Sequence, residues 1–145
     1  MPGYIRAALK TFQWIFSKPQ HSPFPWNRPV FGQCIQYADL VSDSPPLHAT
    51  DTTRVQSICG TFLYYGQAID PTILPALNRI STSQSAPTEE TLARCLQLLD
   101  YLATYPDATI QYTASDIILI CETDAAYLVL PKARSHIAGH YFLTN

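Results

Sequence analysis

The apolar residues of this 145-residue chain change their period once, and that change limits the folds open to it. Between residues 51 and 105 they recur every three to four positions, the spacing that gathers them on one side of a helix. Past Pro106 the spacing shortens to two, or to an unbroken β-branched run, as strands require. Helical and extended segments are thus segregated rather than alternating, and the expected class is α+β.

The helical stretch divides at its own punctuation. Asp51, Thr52 or Thr53 can cap a first helix by accepting from the free N–H groups of its opening turn. Val55, Ile58, Cys59, Phe62 and Leu63 form its apolar stripe. Gly60, in mid-helix, costs about 1 kcal/mol against alanine and is expected at a close helix crossing. Asp70 followed by Pro71 is a cap with proline at the first helical position, so a second helix starts there, with Ile73, Leu74, Leu77 and Ile80 inward. Pro75 keeps it short or kinked. After a turn-rich loop at 81–87, Thr88 caps a third helix with Glu89 and Glu90 in its first turn, where the helix dipole favours acids. Its stripe is Leu92, Cys95, Leu96, Leu99 and Leu102, and Pro106 ends it. Three such helices with short links make a small bundle over 51–108.

In the tail, Thr109–Tyr112 alternates as a short strand and Ala114-Ser115-Asp116 reads as a turn. Ile117–Cys121 is β-branched and uncharged, which fits a central strand buried on both faces. A loop with Pro131 leads to a second strand, Ile137–Leu143. Two strands alone are marginal in water, so residues 109–145 are expected to be a sheet short of partners.

Residues 1–50 differ from both parts. Four basic residues and eight aromatics fall in the first 38 positions, with no acid among them. Tyr4–Phe16 can be a short helix, but Pro19, Pro23, Pro25 and Pro29 allow only an extended arm beyond it. Such an arm can track a nucleic-acid backbone, with Lys10, Lys18 and Arg28 on phosphates and Trp14 or Trp26 stacked on bases. The plainer reading packs the aromatics onto the body.

The whole-chain balance adds exclusions. A net charge of −2 demands no polyanionic partner, and charged residues are only 14% of the chain. That low share is expected of a surface partly covered by a neighbour. No apolar run has transmembrane length, and Met1–Leu9 does not read as a signal peptide. The four cysteines form no CxxC pair, which excludes a zinc ribbon or finger, and all four are expected as reduced thiols of an intracellular protein. His136 and His140 share a strand face without a third ligand, Ser135 and His136 point oppositely, and no glycine-rich phosphate loop occurs. Asp124, in Thr123-Asp124-Ala125 just past the apolar strand, is placed as metal-dependent enzymes present an acidic ligand; a turn residue is the plainer role.

Three stretches carry a resemblance. RVQSICGTFLYYGQAIDPTILPALNRI (54–80) resembles the segment after the polymerase palm in copia-type retrotransposon Pol polyproteins. TLARCLQLLDYLATYPDATIQY (91–112) looks like the next helix and the connection strand of that region. ILICETDAAYLVLPKARSHIAGHYFLTN (118–145) is similar to the first hairpin of the family's ribonuclease H domain. Residues 4–37 are similar, less specifically, to its palm-to-thumb link. Where copia-type chains commonly have Pro-Asp, this one has Asp70-Pro71, as in a divergent or gypsy-type branch.

The resemblance implies a palm-to-thumb linker over 1–50, a thumb and connection over 51–108 and the opening of a ribonuclease H sheet over 109–145. It implies a parent that copies RNA into DNA and removes the RNA strand, with Mg²⁺ as cofactor, a nucleic-acid duplex (RNA–DNA or DNA) as partner and Asp124 as the first metal ligand. The chain lacks the parent's Tyr-x-Asp-Asp turn, since no Asp-Asp pair occurs, and no acid follows Asp124. It is therefore expected to be inactive alone and to bind Mg²⁺ weakly at most. The alternatives are residual template–primer binding, or a domesticated scaffold that adds its open sheet to a partner or to itself.

Overall fold

Backbone closure at residues 9–14 sets the length of the first helix. In the computed structural model, which describes residues 1–26, 43–130 and 134–145, α1 spans Tyr4–Thr11. Gln13 then turns left-handed (φ +53°), and the Trp14 N–H bonds back to the Leu9 carbonyl at 2.9 Å. That pairing satisfies the carbonyls the helix leaves open, so it ends short of Phe16. From Phe12 to Trp26 the chain has no further helix or strand, as the prolines require.

Three more helices follow: α2 (Ala49–Ala68), α3 (Leu74–Ser81, after one 3-10 turn at Pro71–Ile73) and α4 (Glu89–Thr104). The antiparallel pair β1 (Ile118–Leu130) and β2 (Arg134–Thr144) completes an α+β chain with four helices and one two-stranded sheet among the described residues. The chain divides into two compact units, one with the helices and one with the hairpin.

Helix α2 starts earlier than its polar residues indicate. Pro46 bridges to Thr88, with Leu47 N donating to the Pro87 carbonyl and Glu89 N to the Pro45 carbonyl, both at 3.0 Å. This pairing delivers the chain to His48, the N-cap, which makes no side-chain capping bond. Asp51, Thr52 and Thr53 therefore lie inside the helix, where Asp51 still favours the dipole. The other two starts match their sequence signals. Asp70 accepts from Thr72 N at 3.2 Å ahead of Pro71, and Thr91 Oγ1 accepts from Thr88 N at 3.2 Å to open α4.

The core of the helical unit is one cluster built from all four helices, including Ile5, Val55, Phe62, Leu77, Leu98 and Leu102. Leu63 is 44% exposed, and Tyr65 takes the inward place. The reason lies in α1: Tyr4 stacks on Tyr65 with ring centres 5.4 Å apart and donates its hydroxyl to the Thr61 carbonyl, which rotates the covered arc of α2 away from Leu63. On α4, Leu98 is fully buried while Leu96 is only partly so.

The close approach expected at Gly60 occurs at Gly66. A Cβ on Gly60 would meet nothing within 4 Å, whereas one on Gly66 would lie 2.8 Å from Leu74 Cδ2 and 3.2 Å from Ile73 Cγ1. Gly60→Ala should therefore raise stability by about 0.5–1 kcal/mol through helix propensity. Gly66→Ala should lower it by about 1 kcal/mol, because overpacking exceeds the same propensity gain. Urea midpoints of the two variants against the parent read both signs.

The hairpin departs furthest from expectation. Thr109–Tyr112 is not a strand, and β1 opens at Ile118, after a left-handed Ile117 (φ +61°), without the apolar run being buried: Leu119 is 60% exposed. The β-branched run dictates extended backbone, but burial on two faces needs layers, and this sheet has two strands. The pairing runs from Ile118 opposite Thr144 to Ala126 opposite His136, then shifts register before Leu130 meets Arg134. Leu128 sits in that irregularity with φ +55°.

Candidate functional site

The arm after α1 is held to helix α4 by a carboxylate that the apolar pattern does not announce. Asp100 is 4% exposed, and three donors converge on it. Trp14 Nε1 lies at 3.1 Å and Ser17 N at 3.2 Å from Oδ1, and the Ser17 hydroxyl lies at 2.6 Å from Oδ2. A buried carboxylate persists only with such partners. The strapping continues along α4. Gln20 N donates to Thr104 Oγ1 at 3.0 Å, and Gln97 Nε2 donates to the Ser22 carbonyl at 3.1 Å. Phe24 then lies under the guanidinium groups of Arg94 and Arg79, 5.0 and 5.3 Å from its ring centre, an arrangement the ring quadrupole favours.

That arrangement sorts the candidate nucleic-acid residues. Trp14 is half-buried against the core with its N–H committed to Asp100, so it anchors the arm rather than facing outward. Trp26 is 72% exposed. Lys10, at the end of α1, and Lys18 are exposed, as are Ile15 and Phe16. The outward side of the arm is thus basic and apolar, with one open indole. Arg28 lies outside the described residues. Arg6 is paired with Asp107, both more than half exposed, which makes the pair worth little.

Asp124 lies within β1, opposite Ala138, rather than past the end of a strand. The strand runs on to Leu130 because β2 pairs with it that far, so the turn role open to Asp124 is overridden. Register places Glu122, Asp124, His136 and His140 on one face. Glu122 meets His140 directly across the ladder, Oε2 to Nδ1 at 3.8 Å. Asp124 is exposed, and among the described residues no three His, Cys, Asp or Glu side chains gather as a metal group. Mg²⁺ needs near-octahedral oxygen donors, and one exposed carboxylate with a neighbour two residues away does not supply them. The opposite face, with Leu119, Cys121, Tyr141, Leu143 and Ile137, carries no charge. Ile137 is 77% exposed there.

An open groove of about 440 Å³ lies beside the end of α4, between Asp70, Tyr101, Tyr105 and Asp107. Beneath it, burial and then the Asp70 carboxylate push the Tyr65 phenol above its ordinary value of 10.0; a backbone hydrogen bond from Ala108 pulls the other way. A raised folded-state pKa favours the neutral form, so this contribution is complete below pH 10 and lost as pH rises through the folded value. The urea midpoint should fall more between about pH 9 and about pH 11 in the parent than in Tyr65→Phe.

No family model matches the chain, and neither curated proteins nor solved structures yield a match. Two features of the site are absent from the sequence reading: Asp100 and the Glu122–His140 pair. For the pair, nothing local in the sequence sets His140 opposite Glu122; the register of the two strands does. For Asp100, an acid amid Leu98, Leu99 and Leu102 is the only signal.

Proposed function

We propose that this chain is the thumb, connection and opening ribonuclease H hairpin of a copia-type retrotransposon polyprotein, and that alone it binds a template–primer duplex without processing it. The observation that supports this reading most is the junction after α4. The helix ends before Pro106, and residues 106–117, without helix or strand, lead into a long antiparallel hairpin with Asp124 on its first strand. That is the order the resemblance at 54–80, 91–112 and 118–145 requires.

Catalysis in the parent runs through two Mg²⁺ ions gripped by several carboxylates. Asp124 with Glu122 is too few, and the Mg²⁺ role belongs to the parent's full acid set. RNA–DNA cleavage and primer-extension assays with Mg²⁺ should show no turnover. Turnover abolished by Asp124→Ala would overturn the non-catalytic reading.

Binding rests on the basic residues of the N-terminal segment and on the exposed Trp26 indole. With Lys10, Lys18 and Arg28 neutralising about two to three phosphates, affinity for a labelled template–primer should fall roughly 10–40-fold from about 50 to about 200 mM salt. Trp26→Ala should weaken binding at both salts, since stacking is not a counterion effect. Anisotropy titrations measure both; affinity indifferent to salt, or to all four residues, would remove the arm as the contact.

A second reading is supported by the uncharged hairpin face. Leu119, Ile137, Tyr141 and Leu143 lie together and exposed, the arrangement of a sheet that adds to a partner or to a second copy. A monomer in light scattering at high concentration would argue against self-association.

A further inference from the structure

The groove beside the end of α4 lies wholly within the helical unit, and none of the residues offered above for nucleic-acid binding lines it. Its charge is unbalanced at one place. Asp107 is met on both carboxylate oxygens by the Arg6 guanidinium, so its charge is compensated. Asp70 differs. It is 8% exposed, and its Oδ1 accepts from the Thr72 N–H at 3.2 Å and from the Thr72 hydroxyl. Among the described residues no donor reaches its Oδ2, and none of their buried side-chain oxygens lacks a partner. Oδ2 therefore opens to solvent at the groove that Asp70 lines, and no lysine or arginine lines that groove to balance it.

The same groove has aromatic walls. Tyr101 and Tyr105 line it with ring centres 5.3 Å apart and planes tilted by 51°, and Tyr105 is 47% exposed. Ring faces attract a cation within about 6 Å. These groups select among cations. Mg²⁺ demands several oxygens and keeps its waters, and here one oxygen is open. A guanidinium is held best by two carboxylate oxygens at once, and Oδ1 is committed to Thr72. An ammonium needs one acceptor for an N–H, and alkyl groups on its nitrogen weaken its hydration and pack on rings.

We propose that this groove binds an alkylammonium ion that keeps an N–H. The N–H donates to Asp70 Oδ2, and the alkyl groups lie against Tyr101 and Tyr105. The head of a methylated lysine side chain and a small free amine share this chemistry.

The full chain, uniformly isotope-labelled, is titrated by NMR with N,N-dimethylbutylammonium and with Nα-acetyl-Nε,Nε-dimethyllysine methylamide. Both should give saturable shifts at the amides of Thr72, Tyr105 and Ala108, which line the groove. Binding of the lysine derivative about tenfold tighter identifies a side chain as the source, and equal affinities identify a free amine. Asp70→Asn keeps an Oδ1 acceptor for Thr72 and should weaken both probes by about tenfold or more. Tyr105→Leu should weaken them about 3–10-fold. Tyr105→Phe, which loses only the hydroxyl bonded to His21 at 2.6 Å, should bind as the parent does. The trimethyl counterpart of each probe, which has no N–H, should bind at least about threefold more weakly. No saturable shift, equal binding of the trimethyl probes, or full affinity in a folded Asp70→Asn variant would each overturn the proposal. If Asp70→Asn does not fold, the trimethyl comparison on the parent chain decides.

Discussion

Asp100→Ala should destabilise the helical unit by about 3 kcal/mol, because it removes the acceptor that three donors share at a buried carboxylate. The Trp14 indole N–H, the Ser17 backbone N–H and the Ser17 hydroxyl all end on this carboxylate. Charge-assisted bonds of this kind exceed neutral ones, and the unpaired groups left behind add a desolvation penalty. The arm should then lift from α4 before the core melts. Trp14 fluorescence would shift to the red at a lower urea concentration than the far-ultraviolet signal, whereas the parent should lose both together. Trp26, already exposed, gives a steady background that Trp26→Phe removes. Asp100→Asn keeps one acceptor of similar shape and should lose roughly half as much. Equal midpoints for Asp100→Ala and the parent would mean that the arm is held by its aromatic contacts alone.

The second large effect is expected at Leu98. Leu98→Ala removes a fully buried side chain from the face of α4 that closes the four-helix cluster. The loss should be about 3–4 kcal/mol, made up of lost transfer energy and the cavity left behind. Leu96→Ala, two residues earlier and only partly buried, should lose about 1 kcal/mol, since its site is open to water and leaves no cavity. Against a typical total of roughly 5–15 kcal/mol, Leu98→Ala brings the unit near its unfolding threshold. Circular dichroism melts of the two variants side by side give the comparison. A larger loss at Leu96 would mean that α4 is rotated from the position described.

Leu96 and Leu98 also show how far a stripe can be read. Periodicity places α4 and its direction, and Leu99 and Leu102 are buried as the spacing requires. Which of two flanking leucines faces inward depends on where the neighbours stand, and α1 with the arm shifts the covered arc on both α2 and α4. The same shift exposes Leu63 and covers Tyr65. Of the candidate site, the basic and aromatic character of the arm was legible because it is composition. Its anchoring was not, because Asp100 is 83 residues from Ser17 and 86 from Trp14 along the chain.

Local chemistry was enough for what a few neighbouring residues decide among themselves. The α+β division, the capped starts at Asp70 and Thr88, the short α3 with Pro75 in its first turn and the irregular arm after α1 all follow from backbone freedom and hydrogen-bond needs within one or two turns. The tertiary structure alone decided the start of α2 at a bridge from Pro46 to Thr88, the glycine pressed against a neighbour, the burial of Asp100, and the register that sets Glu122 against His140. Each depends on groups far apart in the chain meeting in space, and desolvation and hydrogen bonding act on that meeting rather than on residue order.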